Sequence, residues 1–248
     1  EQGRAARGRG GPASPGDLPQ AHPRLIVTAG RADDVGPDEV RLAGSSRDLA
    51  VFAERAARHD PATPVRLVAV GDAVAAFVTT PFDCLGLRVT RLAVRPVRDL
   101  DLVVEAVGLA ARARAARDGL LRLPPRLPDM TWAQPLPPRA GWSQVARLTA
   151  KDVAARVASD TEEFRLQATA VPAGRGAAGA LEGIAGELWR VPLTGDAPAR
   201  LAHAADYLGF LPAEGDVVVR SAGPWRRLDT DLGVTLSRVS DPLGLFVS

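Results

Sequence analysis

The sequence is poor in cysteine and in aromatic residues, and it has no long uninterrupted apolar run. Cys84 is the single cysteine, so no intramolecular disulfide or cysteine-based metal cluster can form, which favours a reducing cytoplasm. Aromatic residues make up 4% of the chain, so the core must be aliphatic. The longest apolar stretch, Val65 to Val78, is interrupted by Arg66, Gly71 and Asp72. It cannot span a bilayer, and no membrane partner is expected.

The overall composition is that of a folded protein. Of 248 residues, 46% are hydrophobic and 24% are charged, which is sufficient for one large domain or two of ordinary size. The first residues are glycine, proline and arginine without an apolar segment, so no signal peptide is expected. Because the sequence begins at Glu1, it leaves open whether the natural N-terminus is present.

The charge balance gives no basis for a strong electrostatic partner. The chain carries 31 basic and 29 acidic residues, and Lys151 is the only lysine. An excess of arginine over lysine is typical of a GC-rich bacterial genome. Residues 139–248 carry 12 basic and 13 acidic side chains. This half of the chain therefore has no long-range attraction for nucleic acid.

Composition predicts four segments. Residues 1–23 are rich in glycine, proline and arginine and are predicted to form a disordered tail. Residues 24–120 are predicted to form an α+β domain, residues 121–138 a proline-rich linker, and residues 139–248 a helical domain with a C-terminal β-hairpin.

The N-terminal domain is predicted to be an antiparallel sheet packed with two helices. Alternating apolar residues indicate strands, and an apolar spacing of three and four residues indicates helices. The predicted elements are a strand over Arg24–Thr28, a helix from Ser45 or Ser46 to His59, strands over Val65–Val70, Val74–Thr80 and Leu87–Val94, and a helix over Leu100–Arg117.

The C-terminal domain is predicted to be a three-helix unit followed by a β-hairpin or meander, which makes the whole fold α+β. Thr149 and Asp152 resemble an N-terminal cap, and Gly209 resembles a C-terminal stop. The predicted elements are a helix from Thr149 through Ala168, a helix over Ala177–Trp189, a helix starting at Pro198, and strands over Val217–Ser221, Trp225–Asp229 and Val234–Val239.

The linker contains a tryptophan and several prolines, and Trp142 follows it. Trp132 and Trp142 flank Pro135, Pro137 and Pro138. Such a segment can serve as a PxxP ligand for a partner. We expect instead that its tryptophans and prolines pack onto their own domain.

Residues 174–179 match the G-x-G-x-x-G pattern of dinucleotide-binding loops, with Asp196 some 20 residues further on. That pattern needs a buried strand directly before it. The pattern of the preceding residues, 160–170, predicts an exposed helix instead. No cofactor is therefore predicted.

Three helices followed by a hairpin is also the order of a winged-helix DNA-binding domain. In a winged-helix domain, the third helix would enter the major groove of DNA and the hairpin would form the wing. The DNA-contacting residues would be Arg200, His203, Tyr207, Arg220, Arg226 and Arg227.

The sequence shows no catalytic or metal-binding constellation. The histidines at positions 22, 59 and 203 are far apart and lack metal-ligand spacing, so each is expected at a surface or boundary. Cys84 has no basic neighbour that would activate it and is expected in the core. The acidic pairs Asp33-Asp34 and Glu162-Glu163 are expected to be exposed to solvent.

Four short motifs in the sequence are Leu136–Trp142, Leu188-Trp189, His203–Leu211 and Gly223–Trp225. Together they resemble a family of two-domain proteins of GC-rich bacteria that has no assigned activity. The resemblance implies two domains and no functional residue.

The predicted function is a non-catalytic cytoplasmic module that binds a partner protein. The alternative is a winged-helix DNA-binding protein. A third hypothesis is an enzyme whose site is assembled from residues distant in sequence.

Overall fold

The structure is a computed structural model that describes residues 38–96 and 99–239. The predicted tail over residues 1–23 and the strand predicted over Arg24–Thr28 lie outside the described residues.

The first half of the chain alternates short strands with two helices. Its elements are β1 (Glu39–Arg41), α1 (Arg47–Ala56), β2 (Pro64–Val70), β3 (Ala73–Thr80), β4 (Cys84–Arg91), β5 (Asp101–Glu105), α2 (Ala106–Ala115) and β6 (Leu120–Arg122), followed by a 3-10 turn over Asp129–Thr131.

The second half contains three helices and the remaining strands of the described residues. Its elements are β7 (Ser143–Thr149), α3 (Ala150–Thr169), α4 (Ala177–Arg190), β8 (Pro192–Thr194), β9 (Ala197–Pro198), α5 (Arg200–Leu208), β10 (Asp216–Ala222), β11 (Trp225–Thr230) and β12 (Gly233–Arg238).

Both halves contribute to one eight-stranded antiparallel sheet. The strand order is β5, β2, β3, β4, β12, β11, β10, β7. The halves meet where β4 pairs with β12, with Leu87 opposite Val234 and Leu85 opposite Leu236. The predicted hairpin is therefore part of a large sheet and not a separate wing.

The hydrophobic core on the helical face of the sheet is continuous across the two halves. Leu49 and Phe52 of α1 belong to the same buried cluster as Leu201 and Leu208 of α5. The ring of Phe52 stacks on Phe210 with centroids 5.9 Å apart. The two halves of the described chain therefore share one core on this face, because α5 packs against strands of both halves.

The opposite face of the sheet is covered by the proline-rich segment. Trp132 is 8% exposed and packs in a second cluster with Val103 and Trp225. The backbone N–H of Leu127 donates to the carbonyl of Val103 at 2.7 Å. The indole N–H of Trp132 donates to the carbonyl of Gln134 at 2.7 Å. The prediction of internal packing is confirmed for Trp132, whereas Pro135 and Pro138 are exposed.

The α+β class, the two N-terminal helices, the three C-terminal helices and the final meander are confirmed. The Thr149 hydroxyl accepts a hydrogen bond from the backbone N–H of Asp152, as the cap prediction requires. Gly209 ends α5 with φ +62°, in the left-handed region that glycine favours.

The predicted starts of two helices are wrong. The helix predicted over Leu100–Arg117 begins only at Ala106, since Val103 and Val104 lie in a strand and point to opposite buried faces of the sheet. Adjacent β-branched residues suit a strand that is covered on both faces. Pro198 lies in β9, and α5 begins at Arg200 after its N-cap residue Ala199.

Candidate functional site

An open groove runs along α4, beside the turn between β3 and β4. Its volume is about 830 Å³. We call it the α4 groove. Its apolar lining comes from α3, α4 and the turn between β3 and β4. Its polar rim includes residues at the start of α5 and the end of β12. The residues used below are Phe82, Phe164, Trp189, Arg200, Ser237 and Arg238.

The groove exists because α4 is apolar but only partly covered. Of its 14 residues only Ala185 is buried. Leu181, Ile184, Leu188 and Trp189 recur at helical spacing and are all half-buried. An apolar helix face that packs incompletely against its own chain is a surface on which another apolar group can bind.

Aromatic rings form the wall of the groove. Phe82 from the β3–β4 turn meets Trp189 edge to face, with centroids 4.8 Å apart. Phe164 of α3 stacks against Trp189 with centroids 6.1 Å apart. Both distances lie in the range of favourable aromatic pairs. The β3–β4 turn and α3 therefore both contact the indole of Trp189.

A buried polar pair supports this aromatic wall from beneath. His203 of α5 is 5% exposed, and its Nε2 lies 3.2 Å from Oδ2 of Asp160 on α3. Because a carboxylate only accepts, Nε2 carries the hydrogen. Arg156 donates from Nε to both oxygens of Asp160 at 2.8 and 3.0 Å. The ring of His203 contacts Trp189 at 5.8 Å and Phe82 at 5.7 Å.

Burial lowers the pKa of His203, and hydrogen bonding to Asp160 opposes that change. The imidazole is therefore neutral near pH 7. The prediction that His203 lies at a surface or boundary is wrong. Asp160 follows Val153 and Val157 on the inward stripe of α3, and this spacing was the available signal for the buried pair.

Charged groups line the rim of the groove. Arg200 donates from Nη1 to Asp83 at 3.0 Å. Asp196 on the rim is held by Arg226, and hydrogen bonding to that guanidinium lowers the pKa of Asp196. Arg190 and Arg238 are exposed and form no ion pair with another described residue.

Two buried donors beside the groove lack an oxygen or nitrogen acceptor among the described residues. They are Nε of Arg200 and the hydroxyl of Ser237, whose residue is 2% exposed. Both residues line the α4 groove. The Ser237 hydroxyl lies near the thiol of Cys84. Burial raises the pKa of that thiol to about 12. The positive charge of Arg200 and hydrogen bonding to Ser237 lower the pKa, but by less than burial raises it.

The residues predicted to contact DNA have partners inside the chain. His203 is buried, and Tyr207 is half-buried against Phe82 at 6.0 Å. The four arginines of this set each bind an acid: Arg200 pairs with Asp83, Arg220 and Arg227 with Asp229, and Arg226 with Asp196. Six of the nine residues of α5 are buried, so this helix presents no free face to a major groove.

The other sequence motifs do not form a site. The 174–179 glycine motif follows the helix α3 and not a strand, and nothing lies within 4 Å of a side chain built at Gly174, Gly176 or Gly179. Cys84 is 3% exposed, which confirms its place in the core. Glu162 and Glu163 are exposed, as predicted.

Within residues 38–96 and 99–239, no cluster of three or more histidine, cysteine or acidic side chains could hold a metal ion. Among the same residues, none of the helices has both the length and the hydropathy needed to cross a bilayer.

Two protein families match the chain side by side. One, described as Domain of unknown function (DUF8010), matches residues 37–134, and the other, described as Domain of unknown function (DUF8185), matches residues 137–242. They confirm the resemblance to a two-domain family without assigned function. No curated protein sequence matches the chain.

Solved structures similar to the chain include DNA polymerase sliding clamps. The DnaN clamp of Bartonella birtlesii has a TM-score of 0.46 at 14% identity, over 82% of this chain and 65% of that one. The clamp of Caulobacter crescentus has 0.47 at 13%, over 82% and 67%. The DNA polymerase III beta subunit of Thermotoga maritima has 0.47 at 11%, over 82% and 64%. The chain thus spans less than two thirds of the first clamp, and values this low transfer no activity.

Proposed function

We propose that this chain, which joins two domains of unknown function, is a non-catalytic module that binds an apolar segment of a partner protein in the α4 groove. The observation that carries the proposal is the incomplete cover of α4, which leaves Trp189 half-buried between Phe82 and Phe164.

The groove has the character of a binding surface. Its volume of about 830 Å³ lies within the range of ligand sites, and most of its wall is aromatic or aliphatic. Aromatic residues fixed by their neighbours are the usual centres of binding energy in protein interfaces, because little entropy is lost when they make contact. Trp189 has this environment.

The chemistry of the reactive side chains around the groove favours binding over catalysis. The thiol of Cys84 is buried and has its pKa raised to about 12, so it is not a thiolate at neutral pH. The imidazole of His203 is buried, and its Nε2 hydrogen is directed at Asp160. Neither group is available to a substrate lying in the groove.

The proposal is tested by selecting peptides from a random display library on the full chain and measuring their affinities after resynthesis. We expect the selected peptides to be apolar, and we expect Trp189→Ala to weaken binding by about tenfold or more, as loss of a central aromatic contact does. Trp142→Ala is the matched control, since Trp142 packs on the other face of the sheet. Peptides that bind Trp189→Ala as tightly as the unmodified chain, or no enrichment at all, would overturn the proposal.

DNA remains the alternative partner. The six residues predicted for it are engaged inside the chain, which opposes that hypothesis. Fluorescence anisotropy with random duplex DNA at about 50 mM salt, where phosphate contacts are strongest, separates the two hypotheses. We expect no binding. Salt-sensitive binding that Arg220→Gln and Arg227→Gln weaken would favour DNA.

A further inference from the structure

We infer that the α4 groove receives a carboxylate of the bound segment on the unoccupied edge of the Arg200 guanidinium, beside the hydroxyl of Ser237. The inference rests on the proposed function and specifies its ligand: an apolar segment that carries an acidic side chain or ends in a free carboxylate.

The bonding of other arginines in this chain shows what the unoccupied edge of Arg200 can bind. Arg66 donates from Nε and Nη2 to the two oxygens of Asp101, each at 2.8 Å. Arg114 donates in the same way to Glu54 at 2.6 and 2.7 Å. The Nε and Nη2 hydrogens point in parallel, which matches the two oxygens of a carboxylate.

Arg200 lacks this contact. Its bond to Asp83 uses Nη1, on the opposite edge of the guanidinium, and its Nε is buried without an acceptor. The side chain is 18% exposed, and the residue lines the groove. The same edge that binds a carboxylate in Arg66 and Arg114 is thus left without one at the α4 groove.

Ser237 provides an independent second donor. It is 2% exposed, it lines the same groove, and its hydroxyl faces only the thiol of Cys84, a weak acceptor. A buried hydroxyl without a strong acceptor is unfavourable, so a carboxylate oxygen that reaches it is bound with a gain in affinity. Arg238, the next residue along β12, is exposed on the groove and adds a positive charge.

Charge complementarity therefore selects an acid as the polar part of the ligand. Two cationic side chains on the rim, Arg190 and Arg238, have no acidic partner among the described residues. Of the three rim acids, Asp83 and Asp196 are paired and only the exposed Glu182 has no ion pair among these residues, so the unpaired charge of the rim is positive. A ligand that carries an aromatic ring next to a carboxylate would place the ring on Trp189 and the carboxylate at Arg200.

The test uses two probes that differ only in that charge, N-acetyl-tryptophan and N-acetyl-tryptophanamide. Each is titrated into the full ¹⁵N-labelled chain while the Trp189 indole N–H and Arg200 Nε–H resonances are followed. We expect N-acetyl-tryptophan to bind about tenfold more tightly than the amide, as a charge-assisted hydrogen bond predicts. We also expect the Arg200 resonance to shift only with the acid.

Variants identify the residues responsible. Arg200→Met should abolish the preference for the acid, so that the acid and the amide bind with equal affinity, and Ser237→Ala should reduce the preference. Arg147→Met is the matched control, since Arg147 also pairs with an exposed acid, Asp216, but lies away from the groove. Asp83→Asn should increase the affinity for the acid because it removes a negative charge beside Arg200, and Asp83 is too exposed for this change to affect folding.

The outcomes separate this inference from the proposed function. If both probes shift Trp189 with equal affinity, the carboxylate inference is wrong and the α4 groove remains an apolar binding site. If neither probe shifts Trp189 at saturating concentration, the groove itself does not bind such ligands, and both proposals are overturned.

Discussion

Nε2 of His203 lies 3.2 Å from Oδ2 of Asp160, and this hydrogen bond ties the centre of α5 to α3 beneath the aromatic wall of the groove. Both residues are buried. A buried carboxylate requires partners, and Asp160 has two, since Arg156 donates to it from the neighbouring turn of the same helix. The packing of the aromatic residues depends on this polar pair.

The first prediction is that acid weakens the fold through His203. Its pKa is lowered in the folded chain by burial, whereas in the unfolded chain it is near 6.5. As the pH falls through about 6.5, the unfolded chain takes up a proton that the folded chain does not, so the free energy of unfolding decreases. The decrease continues down to the lower pKa of the folded state.

Urea unfolding at several pH values between about 8 and 5 measures this effect. The variant His203→Gln retains a donor for Asp160 but cannot be protonated, so its stability should depend less on pH over this range. An equal dependence in the variant and the unmodified chain would show that His203 does not contribute.

The second prediction concerns the single thiol. Cys84 is 3% exposed, and burial raises its pKa to about 12. At pH 8 the thiolate fraction should be about a thousandfold lower than in the unfolded chain, so reaction with Ellman's reagent should be correspondingly slow. In guanidinium chloride the thiol should react at the ordinary rate. Rapid reaction of the native chain would contradict the buried position of Cys84.

The sequence was a good guide to local structure. The cap at Thr149, the stop at Gly209 and the apolar periodicity located three helices, and alternating residues located the final meander, because these signals act over a few residues. The strand β5 was assigned to a helix, since Val103 and Val104 satisfy both patterns when a strand is buried on both faces.

The candidate site could not be predicted in the same way. The partner of His203 is 43 residues away in sequence, and Phe82 and Trp189, which are in contact, come from different halves of the chain. Strand pairing between the two halves depends on register and on long-range packing, which a single sequence does not specify. The α4 groove is therefore a product of the tertiary structure.

The third prediction tests the contact between α5 and the sheet. A Cβ at Gly86 would lie 2.2 Å from Cδ1 of Leu208 and 3.1 Å from Cγ1 of Val78, and both side chains are buried. Gly86→Ala should therefore destabilise the chain by about 1–3 kcal/mol, as overpacking of a core does. Gly44→Ala is the control, since nothing lies within 4 Å of its Cβ. Equal unfolding midpoints in the two variants would contradict this packing.

The last prediction tests whether the proline-rich segment is part of the fold. Trp132 is 8% exposed and packs with Trp225 on the outer face of the sheet, whereas Met130, two residues earlier, is 88% exposed. Trp132→Ala should lower the free energy of unfolding by about 3 kcal/mol or more, because it removes a large buried ring and leaves a cavity. Met130→Ala should leave it within about 0.5 kcal/mol. Because the two positions share the same backbone segment, a flexible linker would make both substitutions neutral. A large loss of unfolding free energy in Trp132→Ala but not in Met130→Ala is expected only if the segment packs stably on the sheet.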